Sequence, residues 1–324
     1  MSVTMRDIAK VAQVDTSVVS AVLSGSKHIR VSKEKRSHIL SLVESMRYRP
    51  NMSARSLISR KHYAVGILFY STKDRFYAEM MAEVQQRLVA RGYVGIYAFW
   101  KNEQEVFGAY ESVLSRGVDG IITCHNDISL FPANMPIVIY GAQHENYDCV
   151  LIDCKKAVTE AFDYLTGLGH RKIGFVATDS SDGGRYKYYL ECIKRLGLPF
   201  RPEWVCPGSG FFEDGYRGAQ QILSSSSRPT ALIARNDIVG IATIAAARDA
   251  GLQVPDDVSV VSFDNIEEAR YSQPPLTTAG ADIEKQVDCL IEVFFNRLAK
   301  PDSPRVKNII EPELIIRSSC KQPD

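Results

Sequence analysis

Polar side chains directly follow several short apolar segments in the second half of the chain. Arg185 comes after RKIGFVAT, Asn236 and Asp237 follow TALIAR, and Asp264 follows DVSVVSF. An arginine fork, an amide and a carboxylate together suit a hydroxyl-rich ligand such as a sugar, and they would also suit a nucleobase. These residues therefore predict a small-molecule site.

The first half of the chain has a similar arrangement. The apolar segment YAVGILFY is followed by Ser71 and then by Phe76 and Tyr77. Open α/β sheets bind ligands at the carboxyl ends of their strands, and two such sheets form a cleft. We therefore expect these three residues on one side of a cleft and the second-half residues on the other.

Three of these residues have a second interpretation. Asp237 is better explained as the N-cap of the helix that follows it than as a ligand contact. Asn236 could be a turn residue, and Arg185 could form a surface ion pair that contributes little to stability.

Other chemistries find little support in the sequence. No G-x-G-x-x-G follows an apolar segment, GSGFFEDG has the wrong spacing, and there is neither a P-loop nor a G-x-S-x-G elbow. The seven cysteines form no C-x-x-C pair, which argues against zinc and favours reduced, buried thiols. His125 and His170 have no obvious partners. We expect no enzyme, no cofactor and no metal.

The elements that must position these residues alternate along the chain. From Tyr63 onward, short apolar segments of strand type alternate with helical stretches in two batches, before and after about residue 153. This alternation predicts two similar lobes, each a doubly wound parallel α/β sheet.

The amino-terminal part of the chain has a different composition. Residues 1–62 hold 12 Lys and Arg against four acidic residues, a net charge of +8, although the whole chain has a net charge of +1. The remainder is therefore acidic. A basic segment joined to an acidic one indicates that only the basic segment meets a polyanion.

Three short helices are predicted in this basic segment. They begin at Thr4, where Asp7 completes a capping box, at Asp15 and near Ser32. Two short helices joined by a tight turn and braced by a third indicate an all-α helix-turn-helix domain. The second helix would present Thr16, Ser17, Ser20 and Ser24 on one face. Such a helix needs little charge, since phosphate contacts elsewhere supply most of the affinity.

The sequence resembles the lactose-repressor (LacI/GalR) family of bacterial transcriptional regulators over most of its length. The similarity rests on TMRDIAKVAQV, VVSAVLSG and YRPNMSARSL in the basic segment. In the remainder it rests on LGHRKIGFV, PTALIARND, GLQVPDDVSVVSFDN and PPLTT, in that order. The resemblance implies a homodimer that binds a pseudopalindromic operator on double-stranded DNA, with one helix-turn-helix per half-site.

The resemblance also implies a hinge helix that orders on the correct DNA. Its groove-facing or backbone-facing residues would be Asn51, Ala54 and Arg55, and Leu57 would wedge into the minor groove. The sequence alone would also fit an ordinary linker. Residues 1–48 would then form the DNA-binding domain, 49–62 the hinge, and 63–324 a two-lobed domain similar to periplasmic binding proteins.

Several positions differ from the family pattern or remain open. Gln13 replaces a frequent glycine, which implies either a strained residue or a slightly different turn. Ala21 stands where many members have arginine or another large side chain that contacts the bases. A contact with a thymine methyl group is therefore expected from Ala21. In the body, the family match assigns effector contacts to Arg185, Asn236 and Asp264. It also assigns an aromatic residue that stacks on the ligand, which matches either Phe211 or Phe212. Some members of the family carry a carboxylate in the first lobe, at the position that Gly141 occupies in this chain.

The function that follows is a regulator, most often a repressor in this family, controlled by a small-molecule effector. A sugar or sugar derivative is the expected effector. A solute-binding transport protein is the alternative, but the start MSVTMRDIAK has no export signal. We expect a cytoplasmic protein with no membrane partner.

Overall fold

The computed structural model describes residues 3–24, 29–49, 56, 59, 61–70, 74–100, 102–125, 127, 129, 131–132, 134–178 and 184–323. The chain divides into two compact units, Met1–Tyr63 and Ala64–Asp324, which are called the head and the body below. The finer division of the head at residue 48 stays a prediction.

The head contains three short helices, namely α1 (Met5–Val11), α2 (Thr16–Ser24) and α3 (Lys33–Ser45). Helix α1 begins with the predicted capping box, in which Thr4 and Asp7 each accept a hydrogen bond from the other's backbone N–H. Helix α3 begins after Ser32, whose hydroxyl accepts from the backbone N–H of Lys35. These local hydrogen bonds satisfy backbone donors that the helices cannot satisfy themselves.

The body is built from strands that alternate with helices. Its strands are β1 (Ala64–Phe69), β2 (Val94–Phe99), β3 (Ile121–Thr123), β4 (Ile137–Tyr140), β5 (Asp148–Ile152), β6 (Ile173–Thr178), β7 (Val205–Pro207), β8 (Ala231–Ala234), β9 (Ser259–Phe263), β10 (Thr277–Gly280), β11 (Lys307–Ile310) and β12 (Glu313–Ile315). Its α-helices are α4 (Arg75–Ala90), α5 (Glu103–Leu114), α6 (Cys154–Gly167), α7 (Arg185–Leu196), α8 (Phe212–Leu223), α9 (Asp237–Asp249), α10 (Glu267–Tyr271) and α11 (Ile283–Ala299).

The strands form two six-stranded sheets, one in each lobe. The order is β11-β5-β4-β3-β1-β2 in lobe 1 and β12-β10-β9-β8-β6-β7 in lobe 2. The described strand pairs are parallel, apart from the antiparallel pair of β10 and β12. The predicted fold class, a helical head followed along the chain by two parallel α/β lobes, is confirmed.

Helices cover both faces of each sheet. In lobe 1, Val65 and Ile67 pack in one apolar cluster with α4 and α11, while Ala64 and Leu68 pack in another with α5. In lobe 2, the two faces are covered by α6 with α7 and by α8 with α9. Strands buried on both faces need apolar residues at nearly every position, which explains segments such as AVGILF.

The chain crosses between the lobes three times, after β5, after β10 and after β11. Helix α11 packs on α4 and β4, and β11 pairs with β5, so this late part of the chain returns to lobe 1. One apolar cluster contains Ile67 and Met80 of lobe 1 together with Val260 and Leu276 of lobe 2. The two lobes of the body are therefore packed against each other.

His125 and His170, for which the sequence suggested no partners, both contact other residues of the body. The Nδ1 atom of His170 lies 2.9 Å from the Thr230 hydroxyl, and its Nε2 atom lies 2.9 Å from the Lys321 carbonyl. Burial lowers the pKa of His170. His125 contacts the ring of Trp100, with centroids 5.6 Å apart. His170 thus ties the carboxyl-terminal segment to lobe 2, which is a structural role.

Candidate functional site

The head buries one face of α2 and exposes the other. Val19 and Val22 lie in a small apolar core with Ile8 of α1 and Ile39 of α3. The backbone N–H of Ser17 donates to the Asp15 carboxylate at 2.7 Å. Asp15 therefore caps α2, as predicted, and its carboxylate is occupied by the helix itself.

The exposed face of α2 carries short polar side chains. Ser17 and Ser20 are exposed and Thr16 is partly exposed. Ala21, in contrast, has only 5% of its surface exposed. A methyl group ends close to the helix backbone, below the surface made by longer side chains. The hydroxyl groups of Ser17 and Ser20 are therefore more accessible to base edges than Ala21, whose thymine-methyl contact stays a prediction.

The turn between α1 and α2 contains a residue in the left-handed region. Gln13 has φ +53°, and the backbone N–H of Val14 donates to the Ala9 carbonyl at 3.0 Å. A side chain in this region costs about 1–2 kcal/mol relative to glycine. Of the two interpretations of Gln13, the strained residue is the one observed.

Some predicted site residues lie outside the described residues. They are Asn51, Ala54, Arg55 and Leu57 of the hinge, and Ser71 of the body. Their assigned roles stay predictions.

Arg185 and Asp264 meet at the carboxyl end of the lobe 2 sheet. The Arg185 Nη2 atom donates to Asp264 Oδ1 at 2.6 Å, and its Nη1 atom donates to the Arg235 carbonyl at 2.7 Å. The guanidinium also lies 4.9 Å from the centroid of the Phe263 ring. Both side chains of the pair are mostly buried, with 22% and 13% of their area exposed. The ion pair is thus shielded from solvent, unlike the surface pair considered from sequence.

The backbone at Asp264 is strained. Its φ is +106°, and its N–H donates to the Ala279 carbonyl at 3.1 Å. The neighbouring strand β10 comes so close that a Cβ atom at Gly280 would lie 2.8 Å from the Asp264 carbonyl. Such strain is often found at functional sites, where the surrounding structure fixes the conformation.

Asn236 takes the N-cap role that was predicted for Asp237. The Asn236 side chain accepts from the backbone N–H of Val239 at 2.9 Å and donates to the Gly210 carbonyl at 2.9 Å, so Asn236 is the N-cap of α9. The Asn236 carbonyl and one amide hydrogen therefore bind the protein, and its ligand contact stays a prediction. The helix begins one residue earlier than expected.

Asp237, the first residue of α9, is fully buried. Its carboxylate accepts from the Ser262 hydroxyl at 2.5 Å and from the Ile266 backbone N–H at 2.8 Å. Burial and the nearby charge of Asp264 raise the pKa of Asp237 to about 7. Asp237 thus supports the segment that carries Asp264, and it does not cap the helix.

Lobe 1 supplies a carboxylate that the sequence analysis missed. Asp74 caps α4 by accepting from the backbone N–H of Phe76 at 3.0 Å. Burial and the charge of Asp264 raise the pKa of Asp74 to about 6, while Arg185 acts in the opposite direction. Asp74 of lobe 1 therefore lies near enough to Asp264 and Arg185 of lobe 2 for their charges to affect it.

Aromatic residues of both lobes complete the cleft. Tyr70, just after β1, stacks against Phe211, just before α8, with ring centroids 6.4 Å apart and planes inclined by 20°. Phe212 instead stacks on Tyr216 and is 44% exposed. Of the two phenylalanines that the sequence left open, Phe211 is the one that faces Tyr70 of lobe 1, and the ligand contact of either residue stays a prediction.

Phe76 and Tyr77 belong to an aromatic cluster behind the cleft in lobe 1. Phe76 is buried and stacks on Tyr140 at 6.3 Å, and its ligand contact stays a prediction. Tyr77 lies between Phe69 and Tyr140. Burial is the main cause that raises the pKa of Tyr77, and the charges of Asp74 and Asp264 add to it. Tyr77 thus reaches the acidic side of the cleft.

These two units define a class of protein. A helical head with a polar, exposed second helix is joined to a two-lobed body with a charged cleft, which is the organisation of a ligand-controlled DNA-binding regulator. None of the described helices is long and apolar enough to cross a membrane.

Comparisons with known proteins identify the family. Residues 4–51 match the family described as bacterial regulatory proteins, lacI family, and residues 162–320 match a periplasmic binding protein-like domain. A ribose operon repressor of Haemophilus influenzae is 31% identical over 328 residues, which cover 98% of each chain. The chain belongs to the lacI family, as the sequence motifs implied. It is a DNA-binding transcriptional repressor with an effector-binding domain, and not an enzyme.

Other relatives agree with this assignment. An HTH-type transcriptional repressor PurR of Mannheimia succiniciproducens is 29% identical over 332 residues, covering 98% of this chain and 99% of the relative. The Lac repressor bound to ONPG has a TM-score of 0.85 at 20% identity, covering 98% of this chain and 100% of that structure. At this identity the structural match supports the fold.

Proposed function

We propose that this repressor binds a pseudopalindromic operator as a homodimer in the cytoplasm, and that a sugar or sugar derivative in the cleft controls its operator affinity. The main support for an effector in the cleft is the ion pair of Arg185 and Asp264, whose atoms lie 2.6 Å apart. Asp74 and Tyr70 of lobe 1 lie on the other side of the cleft. Carboxylate and guanidinium groups bind ring hydroxyls, while aromatic faces cover the apolar face of a sugar ring.

The head supports the operator part. The exposed hydroxyl side chains of Ser17 and Ser20 are small enough for the major groove and can bind base edges directly or through water. The net charge of +8 in residues 1–62 supplies phosphate contacts. The hinge residues Asn51 and Leu57 would add minor-groove contacts on the correct sequence.

Two apolar surfaces of the body support a homodimer. Strand β2 is an edge of the lobe 1 sheet, and its Val94 and Phe99 side chains are exposed. On lobe 2, Ile238, Ile241 and the 67% exposed Tyr271 border a groove of about 430 Å³. Exposed edge strands and apolar patches of this kind are usually covered by a partner. A second copy of the chain is the occupant that a two-fold operator requires.

Effector control would follow from the two-lobed body. A ligand held by residues of both lobes favours one arrangement of the lobes over others, and that preference is a coupling free energy, typically about 1–3 kcal/mol. The coupling acts in both directions, so operator DNA would change ligand affinity by the same factor.

The test is a footprinting experiment with the purified full chain and genomic fragments upstream of its own operon. We expect protection of two symmetric half-sites about one helical turn apart, and a change in the protection when the effector is added. The absence of any protected fragment at modest ionic strength, with and without candidate metabolites, would overturn the proposal.

A further inference from the structure

Helix α3 of the head ends in a turn that favours glycine. Arg47 has φ +50°, and its backbone N–H donates to the Glu44 carbonyl at 3.0 Å. The backbone N–H of Tyr48 donates to the Val43 carbonyl at 2.9 Å. These two hydrogen bonds form a Schellman motif, in which the residue in the left-handed region is usually glycine. An arginine there bears the same steric cost as Gln13.

Three helices of the body end in the same motif with glycine. The left-handed residue is Gly92 after α4, Gly169 after α6 and Gly251 after α9, with φ +76°, +102° and +75°. Each donates its backbone N–H to the carbonyl three residues earlier, as Arg47 does. Arg47 therefore departs from the glycine that the body uses in this turn, and the departure needs a reason other than backbone geometry.

The folded head offers no such reason. Tyr48 is 9% exposed and packs in the apolar core of the head, whereas Arg47 and Arg49 on either side of it are exposed. The ion pairs found among the described residues all lie in the body, so the described part of the head holds no ion-pair partner for Arg47. Its guanidinium is therefore accessible to a molecule outside the chain.

We infer that Arg47 binds the phosphate backbone of DNA, and that the head accepts a strained turn in order to place this charge. An exposed guanidinium beside Arg49, in a segment with a net charge of +8, suits a polyanion. Arg47 also stands four residues before Asn51, a predicted groove contact, and four residues span at most about 14 Å. This placement rests on the proposed operator binding, and the inference adds a specific phosphate contact to it.

A phosphate contact and a structural role of Arg47 predict different results. A cation after α3 also interacts favourably with the carboxyl-terminal end of the helix dipole. That interaction exists in the free protein and releases no counterions from DNA. A phosphate contact, in contrast, contributes to the dependence of DNA affinity on salt concentration.

The experiment is a fluorescence-anisotropy titration of a labelled duplex of random sequence with the full chain at several salt concentrations. Arg47→Gly should weaken binding by about tenfold at about 50 mM salt, and it should lower the slope of log affinity against log salt by about 0.9 for each bound head. Arg47→Lys keeps the positive charge and should keep most of the slope.

Gln13→Gly is the matched control, because Gln13 holds the same position after α1, with φ +53°, and has no charge. It should leave the salt slope unchanged. Hydrogen exchange of the α3 amides in the same full-chain preparations should be no faster in Arg47→Gly than in the wild type, since glycine suits the left-handed turn.

Three results would overturn the inference: an unchanged salt slope in Arg47→Gly, an equal loss of slope in Arg47→Lys, or a loss of affinity accompanied by faster exchange in α3. Footprinting of the operator with the same preparations separates the two proposals. If the operator is protected while one of these results is obtained, the inference fails and the proposed function stands. A wild-type chain that binds neither duplex would contradict both.

Discussion

Tyr70 of lobe 1 and Phe211 of lobe 2 face each other across the cleft with ring centroids 6.4 Å apart. A ring inserted between them needs about 3.5–4.0 Å on each face, or about 7–8 Å in total. Because the centroid distance is smaller than this, the lobes must open before a flat ligand can enter between the two rings. The distance between the Tyr70 and Phe211 rings therefore depends directly on how far apart the two lobes are.

Phe211→Ala should weaken binding of the best compound from a sugar and nucleobase panel by about tenfold, since one stacking face is worth about 1–3 kcal/mol. Phe212→Ala is the matched control, because Phe212 stacks on Tyr216 away from the cleft. Thermal-shift titration measures both. Equal losses in the two variants would remove Phe211 from the site.

Asp264→Ala should lower ligand affinity by about tenfold or more and leave operator affinity unchanged in the absence of ligand. The substitution removes a carboxylate acceptor and leaves the buried Arg185 guanidinium without its 2.6 Å partner. Calorimetry measures the first effect and electrophoretic mobility shift the second. Unchanged ligand affinity would show that Asp264 is not a contact.

Asp237 should make the unfolding free energy depend on pH. The pKa of Asp237 is raised to about 7 in the folded protein, above about 4 in the unfolded chain. Its contribution to stability is therefore fully present below pH of about 4 and is lost as the pH rises through 7.

Asp237→Asn removes this titration, and an asparagine can keep the contacts with Ser262 and the Ile266 N–H. The variant should gain stability relative to the wild type by up to about 1.4 kcal/mol per pH unit between pH of about 5 and 7. Urea unfolding at several pH values measures the difference. A difference that does not vary with pH would contradict the raised pKa.

The sequence predicted the parts of the molecule that local chemistry controls. The caps Thr4, Asp15 and Ser32 act on backbone groups within three residues, so their roles can be inferred from a short segment. The positions of Arg185 and Asp264 follow from the rule that ligands bind at the carboxyl ends of parallel strands.

The features that sequence analysis missed depend on distant parts of the chain or on one-residue shifts. Asp74 becomes informative only because the other lobe brings Asp264 near it. The N-cap of α9 is Asn236 and not the predicted Asp237, since a sequence pattern places a helix end only to within one or two residues. The return of β11 to lobe 1 is a long-range pairing with no local signal.

Tyr271→Arg should convert the proposed dimer into monomers, because it places a charge in the apolar groove bordered by Ile238 and Ile241. Phe200→Arg is the matched control, since Phe200 is also an exposed aromatic residue but lies outside that groove. Analytical ultracentrifugation at micromolar concentration measures the mass. A wild-type monomer, or a Tyr271→Arg variant that remains fully dimeric, would contradict this surface.

The central claim is that the head binds operator DNA and that the body binds the effector. The most direct measurement compares the full chain with residues 64–324 on the footprinted operator by mobility shift, with thermal shift of the same samples on the ligand panel. We predict that the truncated chain loses operator binding and keeps the ligand response, because Ala64–Asp324 is a compact unit by itself. A truncated chain that still shifts the operator would contradict the account.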